Sequence, residues 1–253
     1  TIHYGRLKIA GAHLSKSKIV QGIRDGSYKG WDDPRLATFA ALRRRGITRE
    51  AIKKMIIDVG PKTADVVLSW ENLYSYNRKI LDSQVDRYFF VKDPILLTVQ
   101  SLPRIFEAKL PLHPDQPERG FREYHVKPKN ESNEALFWIS ERDADAMSVG
   151  KMTRMMELFN IIPKSVTPEG IKADFASEPY EYAREAKARL IHWVEVGEEI
   201  QCNVIMPDAS VSRGIAETAC KNLSSGNVIQ FERFGFARID KVNAELSALY
   251  AHK

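Results

Sequence analysis

The first third of the chain alternates apolar runs with polar breaks, a pattern that predicts a strand followed by helices. Residues 2–12 predict the strand, because apolar and polar positions alternate there before a polar loop. Residues 33–45 predict a helix, with Asp33 placed to cap it, Pro34 suited to its first turn and Gly46 at its end. The start of the chain therefore predicts a strand, a loop and a first helix.

Two further helices are predicted before residue 92. One begins at Thr48 and ends at Gly60, which a proline follows. The next is predicted from Thr63, because apolar residues recur near a 3.6-residue period at Val66, Trp70, Leu73 and Ile80. Residues 1–92 are thus expected to form a strand-loop segment followed by three helices.

The pattern changes at Asp93. Six prolines lie between residues 94 and 128, which disfavours helices. Short apolar or alternating runs separated by turn residues then follow, at 95–99, 135–139, 152–162, 190–196, 200–206 and 227–239. This pattern favours antiparallel β-barrels over βαβ units. Residues 242–253 are expected to form a short closing helix.

Composition places the chain among ordinary globular proteins. Its 253 residues suffice for two or three small domains, and 43% of them are hydrophobic. No apolar run is long enough to span a bilayer and no charged-then-apolar leader opens the sequence, so a cytoplasmic protein with no membrane partner is expected. Cys202 and Cys220 predict buried free thiols, and the six scattered histidines show no metal spacing.

Positive charge is concentrated at the front of the chain. Residues 1–62 contain 14 Lys and Arg but only 5 Asp and Glu, whereas the whole chain has a net charge of +5. A basic segment joined to a nearly neutral one suggests a polyanion bound mainly at the front. A solvated basic face is about as good an explanation from charge alone.

A polar loop over residues 13–19 is the first candidate site. Its lysines and serines can hold a phosphate chain, with ammonium groups as point charges and hydroxyls as donors. Such a loop alone is weak evidence for nucleotide chemistry.

The helix predicted over 33–45 ends in three consecutive arginines, Arg43, Arg44 and Arg45. One cation would satisfy the negative end of the helix dipole, so three leave charge for a phosphate backbone. These three residues are therefore candidate contacts to a nucleic acid.

These motifs resemble those of a known family. The stretch His13-Leu14-Ser15-Lys16-Ser17 resembles the Lys-Met-Ser-Lys-Ser signature of class I aminoacyl-tRNA synthetases, with His13 in place of the first lysine. The segment 30–46 is similar to the one that follows this signature in glutamyl- and glutaminyl-tRNA synthetases. The similarity to this group continues to the end of the chain, with Arg87, Ile191-His192-Trp193 and Ile229-Gln230-Phe231-Glu232-Arg233 in matching order. The archaeal glutamyl type is the most similar, on the signature loop and the runs Asn77-Arg78-Lys79 and Arg87-Tyr88-Phe89-Phe90-Val91.

The resemblance implies an architecture and a set of partners. It implies an α+β multi-domain chain, with a strand-loop and helical stem-contact domain over 1–92 followed by two antiparallel anticodon-binding β-barrels over 93–253. The second barrel, about 130–200, would be inserted in the first. The full-length enzyme would use ATP and magnesium to attach glutamate to tRNA(Glu). If it also places glutamate on tRNA(Gln), a tRNA-dependent amidotransferase would be a further partner. No His-x-Gly-His motif is present, so the chain is expected to be a C-terminal half that binds tRNA but needs no cofactor.

The resemblance also implies residues that bind ATP. Lys16 would be the catalytic residue, since a lysine there can stabilise charge on departing pyrophosphate. The implied ATP-binding residues are His13, Ser15, Lys16 and Ser17.

The resemblance implies residues that contact tRNA as well. Arg87 and Gln230 match positions that read the middle anticodon base in the glutaminyl branch, and Arg154 matches one assigned to the first base. The complete candidate set for tRNA is Arg35, Arg43, Arg44, Arg45, Arg87, Arg154, Gln230 and Arg233. Without the resemblance, Arg87 would be an ordinary helix-end cation, and Arg154 and Gln230 would be outward strand residues.

Two other functions stay open from the sequence. The same half of a glutaminyl-tRNA synthetase would show nearly the same motifs, since its anticodon also has a central uridine. A free-standing RNA-binding β-barrel protein without an enzymatic parent would have a similar charge distribution.

Overall fold

The architecture is that of a computed structural model, which describes His3 and residues 5–12, 14–129 and 133–253. His13, predicted to contact ATP, lies outside the described residues. Within them, no helix is long and apolar enough to cross a membrane.

The front segment combines two short strands with four helices. Strand β1 (Leu7–Ile9) pairs in parallel with β2 (Val66–Leu68). The helices are α1 (Lys16–Arg24), α2 (Phe39–Arg44), α3 (Arg49–Val59) and α4 (Trp70–Leu81).

Helix α3 matches its prediction, because its signals are local. The Thr48 hydroxyl accepts a hydrogen bond from the amide of Ala51 at 3.2 Å, and Gly60 ends the helix with φ +64°.

The helix predicted over 33–45 is shorter than expected. Helix α2 is capped by Thr38, whose hydroxyl accepts from the amide of Ala41 at 3.0 Å. Asp33 does not cap it. Its buried carboxylate accepts from the Lys29 amide at 2.9 Å and from the guanidinium of Arg35. The aspartate-proline signal marks a turn stabilised by this ion pair.

Two other local predictions are wrong. The helix predicted from Thr63 begins only at Trp70, after a cap at Ser69, because residues 66–68 pair with β1 instead. The loop predicted over 13–19 becomes helical at Lys16.

Most of the remaining chain forms strands and two short helices. The strands are β3 (Arg87–Tyr88), β4 (Phe90–Lys92), β5 (Pro94–Gln100), β6 (Phe106–Pro111), β7 (Phe121–Val126), β8 (Ala135–Ser140), β9 (Thr153–Met155), β10 (Asn160–Thr167), β11 (Gly170–Ser177), β12 (Arg189–Ile191), β13 (Val194–Glu195), β14 (Glu199–Ile205), β15 (Val211–Glu217), β16 (Val228–Phe231), β17 (Gly235–Val242) and β18 (Glu245–His252). The helices are α5 (Glu141–Asp145) and α6 (Tyr180–Glu185).

The first large sheet joins residues from both ends of this region. Its strand order is β3-β16-β17-β18-β14-β15-β4. Strand β18 lies in its centre, between β17 and β14, so the closing helix predicted over 242–253 is wrong. Burial alternates with the strand period of two only over Glu245–Ala248, because Leu249, Ala251 and His252 are also buried.

The second large sheet is built from the intervening chain, in the order β12-β9-β10-β11-β5-β8-β13. Strands β6 and β7 form a separate antiparallel hairpin that packs on its core through Phe106, Leu110 and Val126.

Neither large sheet closes into a strict barrel in the described residues, and neither is purely antiparallel. Each contains two parallel pairs: β3–β16 and β14–β18 in the first, β5–β11 and β9–β12 in the second. The fold is therefore α+β with two open seven-stranded sheets, which corrects the prediction of two closed antiparallel barrels.

The helices of the front segment pack directly on the first large sheet. Phe236 of β17 and Ala251 of β18 belong to the same core as Leu42, Leu73 and Leu81. The front segment and the sheet thus share one apolar core.

Both cysteines are buried free thiols in the core of the first sheet, as predicted. Burial raises the pKa of Cys202 and that of Cys220. Neither thiol is a nucleophile at neutral pH.

Candidate functional site

Arg87 and Gln230 meet on the surface of the first large sheet. They are register partners on the parallel strands β3 and β16. Paired residues of neighbouring strands are about 4.8 Å apart and project from the same face of the sheet. Both are partly buried, so the two side chains open together onto the surface.

This pair carries hydrogen-bonding capacity that the described residues do not use. The Nε of Arg87 and the Oε1 of Gln230 are buried and have no hydrogen-bond partner among them. A buried donor and acceptor without partners each cost free energy in the absence of a ligand. Both atoms are closed to solvent in this conformation, so a planar ligand edge with one acceptor and one donor would satisfy both once the two side chains turn outward.

Charged groups hold Arg87 in place. One of its terminal nitrogens lies 3.3 Å from the carboxylate of Asp82, at the end of α4. Next to it, Asp86 accepts from the Nε of Arg119 at 2.8 Å, which ties β3 to the turn before β7. The position of Arg87 is therefore set by the helix end and by the sheet.

A buried polar network lies beneath this surface. Arg122 forms ion pairs with Glu217 and with Glu232, and Glu217 also accepts from the Tyr124 hydroxyl and from the Phe89 amide. Burial raises the pKa of Glu232, although the charge of Arg122 opposes this shift. The network fixes the end of β16, where Glu232 follows the strand, and so stabilises the position of Gln230.

Lys16 begins α1 and is exposed to solvent. Ser15 precedes it at the capping position without a side-chain cap bond, and the Ser15 and Ser17 hydroxyl oxygens are 3.1 Å apart. Amide groups of the first helical turn point out of the helix end and attract anions. Two hydroxyls, an ammonium group and a helix start thus face solvent together.

The three arginines at the end of α2 have different environments. Arg43 is exposed, and no salt bridge within the described part of the chain engages it. Arg44 is shared between the carboxylates of Asp240, at 2.9 Å, and Asp32, at 3.3 Å. The sequence could not separate these environments, because the partners of Arg44 lie on a turn and on β17.

Arg45 is buried, with 2% of its surface exposed. Its guanidinium donates to the carbonyl of Ala251 at 2.7 Å and to the Tyr74 hydroxyl at 2.9 Å. It also stacks over the rings of Trp70 and Tyr74. This residue joins α2 to the last strand and offers no surface for a phosphate.

Arg35, Arg154 and Arg233 are also held by protein groups. Arg35 forms a two-point ion pair with Asp33. Arg154 is buried, and its guanidinium donates to the carbonyl of Glu178 at 2.6 Å. Arg233 binds Asp143 through two hydrogen bonds of 2.7 Å, which connects the first sheet to α5 of the second.

The Asp143–Arg233 pair lines a cavity of about 520 Å³ that the sequence did not indicate. His192 also lines it, donating from Nε2 to the carbonyl of Phe90 at 2.7 Å and accepting at Nδ1 from Arg233 at 3.2 Å. Burial, and then the charge of Arg233, lower the pKa of His192 to about 4. No sequence signal marks this cluster, since its members come from three distant segments.

No group of three or more His, Cys, Asp or Glu side chains that could hold a metal ion lies within the described ranges.

Three family models match this chain. Residues 1–83 match the catalytic domain of "tRNA synthetases class I (E and Q)", and residues 85–177 and 190–240 match two anticodon-binding domain models of the same group. Only residues 84, 178–189 and 241–253 fall outside these matches. The chain belongs to the class I tRNA synthetases for glutamate and glutamine.

Similar proteins of this family include archaeal glutamate–tRNA ligases. The chain is 49% identical over 257 residues to the enzyme of Pyrococcus abyssi, a match that covers 100% of this chain and 43% of the relative. It is 47% identical to the enzyme of Pyrococcus furiosus, with the same coverage. It is 40% identical over 252 residues to the enzyme of Methanopyrus kandleri, covering 99% of this chain and 44% of that one. The chain thus spans less than half the length of these synthetases.

The matched ranges relate the family to the fold. Most strands of both large sheets fall in ranges that match anticodon-binding domains, whereas β18 lies beyond the last matched residue. Arg87 and Gln230 lie in two different matched ranges. The front segment, with Lys16, matches the synthetase catalytic domain.

Proposed function

We propose that this chain is the tRNA-binding part of an archaeal-type glutamate–tRNA ligase. In the full-length enzyme it would act in the attachment of glutamate to tRNA(Glu) with ATP and magnesium. The observation that carries this proposal is the register pairing of Arg87 with Gln230, each with an unpartnered buried polar atom among the described residues.

The ligand we propose for this pair is the middle anticodon base, uracil. Its N3–H donates and its O4 accepts, which complements the free acceptor of Gln230 and the free donor of Arg87. Cytosine presents an acceptor at N3 and a donor at N4, so both contacts would be mismatched. Single-stranded anticodon bases can be splayed out and read on these edges.

We assign the phosphates of ATP to the start of α1, with Lys16 as the catalytic residue and Ser15 and Ser17 as hydroxyl donors. The exposed ammonium group and the open helix end support this assignment. His13 would complete the set. A lysine that closes on pyrophosphate as it leaves stabilises the transition state more than the substrate.

For the tRNA backbone we propose Arg43 as a direct contact, with Arg35 and Arg44 as contributors at the edge of the same surface. We assign Arg45, Arg154 and Arg233 to holding the surrounding elements in place, because protein groups already bind their guanidiniums.

We also propose the domain division suggested by the resemblance, with a stem-contact segment over 1–92 and anticodon binding over 93–253. The inserted part would be wider than the 130–200 first expected, since the second sheet uses residues from 94 to 195. A cytoplasmic location and a tRNA-dependent amidotransferase partner belong to this proposal for the full-length enzyme.

The test is binding of the chain to transcripts of tRNA(Glu) that differ only at the middle anticodon base. We expect the uracil transcript to bind about tenfold or more tightly than the cytosine transcript, since two base-edge contacts are lost. Equal affinity for the two transcripts would overturn the proposed reading of this base.

A glutaminyl-tRNA synthetase is the nearest alternative, because the family models cover both amino acids. The identity to glutamate–tRNA ligases favours glutamate. Aminoacylation by the full-length enzyme with each amino acid separates the two.

A further inference from the structure

A second basic site lies at one edge of the second large sheet. Its cavity has a volume of about 510 Å³, and Lys151, Lys187 and Arg189 are among the residues that line it. Among the residues that the structure describes, no aspartate or glutamate lines this cavity. Three cations around one concave space without a carboxylate favour an anionic ligand.

The fold brings these cations together from two separated segments. Arg189 on the edge strand β12 is the register partner of Thr153 on β9. Lys151 precedes β9, and Lys187 follows α6. The parallel pairing of β9 with β12 therefore builds the cavity.

Most of this positive charge takes no part in ion pairs among the described residues. Lys151 and Lys187 are exposed, and neither ammonium group forms a salt bridge with any residue that the structure describes. Arg189 lies 3.8 Å from Asp143, but that carboxylate is already bound at two points by Arg233. The cavity thus keeps its cations available.

Lys187 also occupies an unfavourable backbone position. Its φ is +49°, in the left-handed region, and the amide after it donates to the carbonyl of Ala183 to end α6. Glycine is the residue that usually takes this place at a helix end. A lysine at this position lines the cavity, and its left-handed backbone conformation costs some free energy.

Two exposed aromatic side chains lie on α6, the helix that Lys187 follows. Tyr180 and Tyr182 are 47% and 53% exposed. A surface that carries both exposed rings and cations is typical of proteins that bind single-stranded RNA through stacking and phosphate contacts. The two rings favour RNA over a free phosphate as the source of the anion.

We propose that Lys151, Lys187 and Arg189 bind an RNA backbone phosphate in this cavity. The site deepens the proposed function and rests on it, since the RNA would be the tRNA held at Arg87 and Gln230. It supplies affinity without reading sequence, because phosphate contacts are the same for every base.

The test compares the wild-type chain with the triple variant Lys151→Gln, Lys187→Gly and Arg189→Gln. Glycine is chosen at 187 because it accepts the left-handed backbone, so that α6 keeps its end. The matched control replaces three exposed lysines elsewhere on the second sheet and its hairpin: Lys109→Gln, Lys164→Gln and Lys172→Gln. Circular dichroism checks that all three proteins are folded.

Binding is measured by fluorescence anisotropy with a labelled tRNA(Glu) transcript at 50 and 200 mM salt. We expect the triple variant to bind about tenfold more weakly at 50 mM. For a single strand, each phosphate contact adds about 0.7 to the slope of log affinity against log salt concentration. The loss of affinity in the triple variant should therefore be roughly threefold smaller at 200 mM than at 50 mM for each contact removed. The control should bind within about twofold of wild type. A triple variant that binds like the control would overturn the proposal.

A second measurement separates failure of this site from failure of the proposed function. Inorganic pyrophosphate is titrated into the wild-type chain and the triple variant, and amide NMR shifts are recorded. Shifts at residues 151, 187 and 189 in wild type only would support an anion site. If the wild-type chain binds no tRNA but shows these shifts, the assignment to RNA is overturned and the proposed function falls with it. If it binds tRNA and shows no shifts there, the phosphate site alone is overturned.

Discussion

Arg87 and Gln230 are direct register partners on neighbouring parallel strands, although most of the chain lies between them. Their polar ends share one face of the first large sheet, with a donor and an acceptor unpartnered among the described residues. This pairing exists only because β16 of the late chain returns to β3. The site and the sheet topology therefore depend on the same contact.

The first prediction concerns Gln230. Gln230→Ala should weaken binding of tRNA(Glu) by about 1–3 kcal/mol, a range taken from base-edge contacts on DNA. It should cost much less with a transcript already changed at the middle base, because the contact is then absent. Fluorescence anisotropy with both proteins and both transcripts gives this double-mutant cycle.

Gln201 provides the matched control for Gln230. It is an exposed glutamine on β14 of the same sheet, and Gln201→Ala should leave both affinities unchanged. An equal penalty for Gln230→Ala with the two transcripts would show that this residue does not read the middle base.

The second prediction separates Arg43 from Arg45. Arg43→Gln should weaken binding of all tRNAs alike and leave the free energy of unfolding nearly unchanged, because the side chain is exposed. Arg45→Gln should lower the free energy of unfolding by about 2–4 kcal/mol, since it leaves buried carbonyls unpaired.

Urea denaturation and tRNA binding measure the two effects of this second prediction. Equal loss of stability in both variants would show that the difference in burial between these neighbours has no energetic consequence.

The third prediction concerns Lys16 in the full-length enzyme. Lys16→Ala should slow adenylate formation by about 100-fold or more, because the charge on leaving pyrophosphate loses its stabilising ammonium group. Glutamate binding should be unchanged. Single-turnover measurement gives the rate, with Lys18→Ala as the control on the same helix, and an unchanged rate for Lys16→Ala would move this role to another residue.

The fourth prediction is an acid destabilisation centred on His192. Burial and the charge of Arg233 lower its pKa to about 4, against an unfolded value near 6.5. The unfolded chain therefore binds a proton first as the pH falls. Stability from neutral His192 is complete above about pH 6.5 and is lost progressively down to about pH 4, by roughly 3 kcal/mol.

Urea denaturation between pH 7 and pH 4 checks this acid effect. His192→Gln should reduce the pH dependence, since glutamine does not titrate there and can still donate to the Phe90 carbonyl. The part that remains comes from His252, because burial also lowers its pKa to about 4. A variant with the same slope as wild type would place the titration elsewhere.

The sequence was informative where a structural signal is local. Helix α3 begins after Thr48 and ends at Gly60, as the sequence predicted, because a capping side chain and a left-handed glycine each act within one helical turn. The helix start predicted at Asp33 was wrong, since the Asp33 carboxylate accepts a hydrogen bond from Arg35 and does not cap a helix. Val66–Leu68 is a strand because β1 lies beside it, a contact that no local pattern reveals.

The same limit applies to the sites. The importance of Arg87 and Gln230 came from the family resemblance, whereas their spatial relation required the sheet register. The different environments of Arg43, Arg44 and Arg45 depend on Asp240, Tyr74 and Ala251, all distant in the chain. The cavity at Lys187 had no motif, because single lysines from unrelated segments line it.

The central position of β18 also determines when the first large sheet can form during translation. Strands β3 and β4 are synthesised well before it, but the sheet that contains them has no centre until Glu245–His252 has been made. The strands of the second sheet are all made by residue 195, so that sheet can form before this point. A chain cut just before Glu245 would therefore keep both flanks of the first sheet and lose the strand that joins them.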